Sequence, residues 1–259
     1  MQYQITDSEW ETLHGLLNEP IHNLMARQSA QACIYRFTHR LSKHYRTFSW
    51  AMIPNEFMVS GQTAHRYYTK WVDSGSWFDF WDMLIVERYG RAIPTKPNKK
   101  QLKKASPLVA TISELERAYA YFNHRFLANT LPSSIRITIE RTAKPRLHGY
   151  FVERIWQSDN NHGHHIALCQ SALGHSEMAL QVLLHEMAHA KNAVHDLEDT
   201  DSRTQYHTID FRDTAQLLGL SCEKVPNRGF AHTELGNRAL DAIAVLKPVE
   251  DVFLAMKAY

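Results

Sequence analysis

Apolar positions recur at helical spacing along residues 1–92, interrupted by polar, proline and glycine punctuation. Ile5-Thr6-Asp7-Ser8-Glu9-Trp10 opens with a Thr or Asp cap and acids in the first turn, a helix-start signature, and Trp10, Leu13, Leu16 and Leu17 follow at that spacing. A second helix is predicted over residues 30–44, with Ile34, Phe37 and Leu41 on one face. Phe48-Ser49-Trp50-Ala51-Met52-Ile53-Pro54 reads as a packed turn, after which Ser60-Gly61-Gln62-Thr63 restarts a helix carrying residues 64–71. Asp73-Ser74-Gly75-Ser76 breaks it, and residues 77–84 start another. Short helices with a compact turn before a polar-aromatic third one suit a helix-turn-helix unit.

The second half alternates differently. Residues 112–128 have helical spacing, whereas 136–139, 149–155 and 165–169 alternate or run β-branched and read as strands. The apolar Met178, Leu180, Val182 and Leu183 of residues 176–192, and the lack of Gly and Pro there, favour a helix, and a further amphipathic helix opens at His207 with Phe211, Ala215, Leu217 and Leu218. The expected class is therefore α+β: an all-α N-terminal domain, then a small sheet packed on helices.

Composition and charge sharpen the division. The chain has 259 residues, enough for one large domain or two small ones. Residues 1–92 balance 9 basic against 9 acidic side chains, and residues 107–259 carry 15 basic and 18 acidic. Between them, 93–106 holds five lysines, no acid, and Pro94 and Pro97, so it reads as a basic linker. Domains are thus expected at 1–92 and 107–259, with the linker the preferred site of limited proteolysis. No run of about 18 apolar residues exists to span a membrane, and the polar, acidic N-terminus is unlike a secretory signal. Cys33, Cys169 and Cys222 are few and far apart, as expected of reduced cysteines in the cytoplasm.

The count of 16 histidines prompts a search for metal ligands. His185-Glu186-Met187-Ala188-His189 is an H-E-x-x-H inside the apolar stretch 176–192. On a helix the two imidazoles lie on one face and can reach one zinc ion, while Glu186, rotated by about 100° per residue, flanks the ion as a general base. A third ligand is needed. His195 completes a metzincin-like spacing with Asn192 where glycine usually turns the chain; His207, opening the next helix, is the other candidate. His162, His164 and His165 read as an exposed turn between strands, and Asp159, Asp199 and Asp201 as turn residues.

Residues 107–250 resemble the SprT-like (Spartan-like) zinc metalloproteases. The landmarks are Tyr121-Phe122-Asn123, Leu131-Pro132, Leu147-His148-Gly149-Tyr150-Phe151, Trp156, Leu183–Ala190, Asp199-Thr200, Tyr206-His207, Phe211, Leu218-Gly219-Leu220, Gly229-Phe230 and Thr233. That resemblance implies a zincin-like α+β domain with one zinc per chain, His207 as the third ligand beside His185 and His189, Glu186 as the catalytic base, and a protein or peptide substrate. Residues 4–88 (ITDSEW, FSWAMIP and TAHRYYTKWVDSGSWFDFWDML) resemble the N-terminal DNA-binding region of insertion-sequence transposases. This implies DNA contacts from His65, Arg66, Thr69 and Lys70 on a recognition helix, with Trp71, Trp77 and Trp81 in the core. No transposase catalytic domain follows, so DNA binding alone carries over. Lys99, Lys100, Lys103 and Lys104 would add phosphate contacts. The expectation is a zinc endopeptidase targeted to DNA-associated proteins in the cytoplasm or on the nucleoid, the alternatives being a non-enzymatic DNA-binding regulator or a mobile-element fusion with a structural zinc.

Overall fold

The computed structural model describes residues 3–39, 47–142, 144, 147–158, 161–201 and 203–256. It is mixed α and β, as the hydrophobic pattern requires, and forms two compact units. The first comprises Met1–Arg91 with His195–Glu198; the second comprises Ala92–Val194 and Asp199–Tyr259.

In the first unit, α1 (Asp7–Leu13) begins where the sequence signals it. The Thr6 hydroxyl accepts the Glu9 N–H at 3.2 Å and the Glu9 carboxylate accepts the Thr6 N–H at 2.8 Å, a reciprocal cap that satisfies two otherwise orphan donors. Arg88 then donates to Glu9 at 2.7 Å, joining α1 to α4 (Ser76–Tyr89). Helix α2 (Leu24–Thr38) starts six residues before the expected 30, because Asn23 accepts the Ala26 N–H and caps it there; residues 40–44 of that expectation lie outside the described residues. Helix α3 (Gly61–Asp73) starts at its Ser60 cap. Trp71, Trp77, Trp81 and Phe80 are fully buried beside the buried Phe37, the Trp71 and Trp77 rings stacking 6.3 Å apart.

The connections differ from a tight helix-turn-helix, whose paired helices are joined by about three or four residues. Residues 39–60 separate α2 from α3 and contain two short 3-10 turns, at Trp50–Met52 and Asn55–Phe57, built on Ile53, Phe57 and the partly buried Phe48 and Trp50. The short connection is the one from α3 into α4, where Gly75 takes φ +78.

The second unit opens with α5 (Lys99–Lys104), capped by Asn98, and α6 (Pro107–Leu127), capped by Ser106 with Pro107 at its first position. Segment 93–106 is thus not a bare linker. It contains a helix, the Thr95 carbonyl accepts from Arg117 of α6 at 3.0 Å, and it groups with the second unit. The sheet has the order β1-β3-β2, with β1 (Arg136–Glu140) parallel and β2 (Gly149–Ser158) antiparallel to β3 (Asn161–Cys169). Ile166–Cys169 are buried, and α7 (Ser176–Val194) packs on β2 and β3. Next come α8 (Ile209–Leu217), an antiparallel hairpin of β4 (Leu220–Val225) and β5 (Gly229–Leu235), then α9 (Asn237–Leu246) and α10 (Glu250–Met256). The Glu250 carboxylate accepts the Ser176 N–H at 3.1 Å and so caps α7 from the far end of the chain. Among the described residues, no helix is long and apolar enough to cross a membrane.

Candidate metal centre

His185 and His189 sit one turn apart on α7, and His207 reaches them from the extended segment immediately before α8. One ligand atom from each of the three lies within 4.8 Å of the other two. His207 precedes the helix it was expected to open, and the β4–β5 hairpin holds it there. Its N–H donates to the Arg228 carbonyl at 3.1 Å, and its carbonyl accepts the Phe230 N–H at 3.1 Å. Gly229 makes this pairing possible: its φ is +61, and a Cβ there would stand 2.0 Å from the His207 carbonyl oxygen.

The second nitrogen of each ring has its own partner. His185 Nδ1 lies 2.9 Å from the Thr233 hydroxyl on β5, and Gln181 of α7 donates to the Thr233 carbonyl at 2.7 Å. His189 Nδ1 lies 3.0 Å from Asp199, and His207 Nδ1 lies 3.2 Å from the Gln205 carbonyl. A carboxylate and a carbonyl can only accept, so Nδ1 carries the proton in both His189 and His207. Where both rings are neutral, their Nε2 atoms are bare lone pairs facing each other at 3.2 Å. Such a pair is repulsive by itself and suits a cation between them. The edge of a tetrahedron with Zn–N bonds of 2.0–2.1 Å is about 3.3–3.4 Å, so the donor set fits zinc.

Asp199 is a buried member of this centre, not the turn residue expected. Asn192 donates to its carboxylate at 2.8 Å, and the Thr214 hydroxyl of α8 donates to Asn192 Oδ1 at 2.7 Å. Outer partners of this kind fix ring orientation and tautomer in metal sites. Asn192 is itself helical, since α7 runs through Val194; the chain does not turn back there, and His195 lies outside the three-histidine cluster. Its Nδ1 lies 3.1 Å from the His39 carbonyl, within the first unit.

Electrostatics follow burial. Burial, with the neighbouring imidazoles, holds His185 well below the ordinary histidine range and takes His207 down to about 4. At His189 burial acts in the same sense, but the Asp199 carboxylate outweighs it and the pKa is raised. Glu186 is 5% exposed, and burial pushes its carboxyl up to about 7. The first residue of β2 approaches this carboxylate closely: a Cβ on Gly149 would lie 2.6 Å from Val182 Cγ1 and 3.1 Å from Glu186 Oε1.

The other histidines and the basic residues are placed differently from expectation. Residues 161–165 belong to β3, not to an exposed turn; His164 and His165 are buried, and His165 Nε2 lies 2.6 Å from the Thr138 hydroxyl of the paired strand. The side chain of His162 and all of Asp159 lie outside the described residues, whereas Asp201 is a turn residue that accepts the Arg203 and Thr204 N–H groups. On α3, His65, Arg66 and Thr69 are exposed, with His65 stacked on Trp50 at 5.2 Å. Lys70 is already engaged. Its side chain is exposed, but its ammonium lies 2.6 Å from Glu19, a buried carboxylate that also accepts from Trp71 Nε1. Lys99, Lys100, Lys103 and Lys104 are exposed on α5 of the second unit. No family model, curated protein or solved structure matches the chain.

Proposed function

We propose that this protein is a zinc-dependent endopeptidase of the SprT-like type, acting on proteins associated with DNA. The observation that carries the reading is the convergence of His185, His189 and His207, each with its second nitrogen engaged, beside the buried carboxylate of Glu186. A purely structural zinc has no use for such a carboxylate. Zinc held by the three imidazoles supplies Lewis-acid polarisation of a peptide carbonyl and acidifies water. Glu186 takes up the proton of the attacking water at its carboxylate and returns it to the nitrogen of the departing amine. Strand β2 is an edge of the sheet, and its first residue lies beside Glu186. Extended backbone can add along that edge, which favours unfolded polypeptide as substrate.

The test is zinc content by mass spectrometry together with hydrolysis of an unfolded polypeptide such as casein. About one zinc per chain is expected, with hydrolysis abolished by a chelator and restored by added zinc. Protein without zinc overturns the metal site. Protein with zinc but no hydrolysis of any unfolded substrate overturns the peptidase and leaves a structural zinc in a binding protein.

The interaction with DNA rests on the lysines of α5, which are exposed and carry no acid among them, while Lys70 of α3 is held by Glu19. Replacing Lys99, Lys100, Lys103 and Lys104 with Gln in the full chain should weaken binding to duplex DNA for all sequences alike. The slope of log affinity against log salt should flatten by about 0.9 for each phosphate that is no longer neutralised. Fluorescence anisotropy across a salt series reads this, and an unchanged slope shows that DNA is bound elsewhere, with Arg66→Gln testing α3.

A further inference from the structure

The ring of Phe211 stands in a relation to the three histidines that neither catalysis nor ligation explains. Its centroid lies 4.7 Å from that of His185, 4.6 Å from His189 and 4.5 Å from His207. The histidine centroids are themselves 5.1, 5.3 and 4.9 Å apart. The four rings therefore mark the corners of a nearly regular tetrahedron, with Phe211 at the apex over the imidazole triangle. Phe211 is fully buried in the first turn of α8, four residues after His207, so one short stretch of chain supplies both a ligand and this ring.

We infer that Phe211 is a positioning residue, an aromatic backing that fixes the tilt of all three imidazoles and closes one side of their triangle to water and metal. The inference rests on the zinc reading above. Histidine χ2 is a broad torsion with little intrinsic preference, so the orientation of each ring is set by what surrounds it. The Nδ1 contacts to Thr233, Asp199 and the Gln205 carbonyl restrain each ring through one hydrogen bond, whose angular tolerance leaves some freedom in χ2. A flat, rigid hydrocarbon ring touching all three removes this freedom at once, and edge-to-face and tilted aromatic contacts are favourable at these separations. With a phenyl ring on one side, an ion and its exchangeable ligand are confined to the other. Met or Leu fills a similar volume without presenting a flat face.

The test compares the full chain with Phe211→Met, Phe211→Leu and the control Phe122→Leu. Phe122 is equally buried in α6, where its ring partners are Tyr121 and Phe126. Zinc affinity is measured by chelator competition, ligand geometry by the visible absorption of the Co2+ form, and folding by the melting temperature of the metal-free protein. Both Phe211 variants should bind zinc about 10–100-fold more weakly, the range seen for groups that orient metal ligands, and should weaken and broaden the Co2+ bands. Phe122→Leu should keep wild-type affinity at a comparable melting temperature. Should Phe211→Leu fail to fold, Phe211→Met, whose flexible unbranched side chain fills irregular gaps, carries the comparison. Wild-type affinity and spectrum in Phe211→Met overturn the positioning role, as does an equal weakening in Phe122→Leu, which would mark a general effect of destabilisation. Absence of zinc from the wild-type protein overturns the metal site itself, a result distinguishable from either.

Discussion

Glu186→Gln is expected to abolish peptidase activity while zinc content and melting temperature stay near wild type. The substitution keeps the shape of the side chain and replaces a proton acceptor with an amide that cannot take a proton. General acid–base catalysis contributes about 10²–10⁴-fold, and this carboxylate is asked both to accept the proton of water and to deliver one to the leaving amine. The loss of activity should therefore lie at the upper end of that range or beyond. Burial accounts for the retained fold: Glu186 is 5% exposed and its carboxyl is held well above the ordinary range, so a neutral amide costs no more desolvation than the native group. Single-turnover hydrolysis of an unfolded substrate, read beside metal analysis of the same sample, gives the answer. Full activity in the variant refutes the mechanism.

The second large effect concerns the third ligand. His207→Ala should cut zinc affinity by more than the roughly 10–100-fold typical of outer-shell changes, because it removes a donor nitrogen and leaves two imidazoles on α7. His195→Ala should bind zinc as the wild type does. Helix α7 continues past Asn192, and the cluster forms without His195. Competition with a chromogenic chelator separates the two. Loss of zinc in His195→Ala with retention in His207→Ala would assign the site to the metzincin-like spacing instead.

The parts of the centre differ in how far the sequence reveals them. His185 and His189 are joined by helical periodicity alone, since four residues make about one turn and the surrounding run is largely apolar. His207 is brought in by the β4–β5 hairpin, through backbone hydrogen bonds to Arg228 and Phe230. No hydrophobic period near His207 announces that pairing. The collision that a Cβ at Gly229 would make with the His207 carbonyl is likewise visible only in the fold. Asp199 reads as a turn former because Asp, Asn and Ser share that local chemistry. Its role depends on Asn192 and His189, seven and ten residues earlier, and on Thr214 of α8 behind Asn192. Lys70 is a DNA contact by family resemblance alone; its ion pair with Glu19, 51 residues away, has no local signal.

Local physics acts within a few residues, and there the sequence by itself was decisive. The Thr6–Glu9 reciprocal cap, the Ser60 cap of α3, the strands around Ile137 and Ile166, and the unbroken apolar helix bearing H-E-x-x-H all follow from caps, periodicity and β-branching. The mixed α and β class follows from the same signals. Tertiary structure alone decided which groups meet across long separations: Thr233 with His185, Glu250 with the start of α7, segment 93–106 with the second unit, and Phe211 with all three imidazoles. Those meetings depend on packing and loop closure, whose outcome is a property of the whole chain, so no window of residues encodes them.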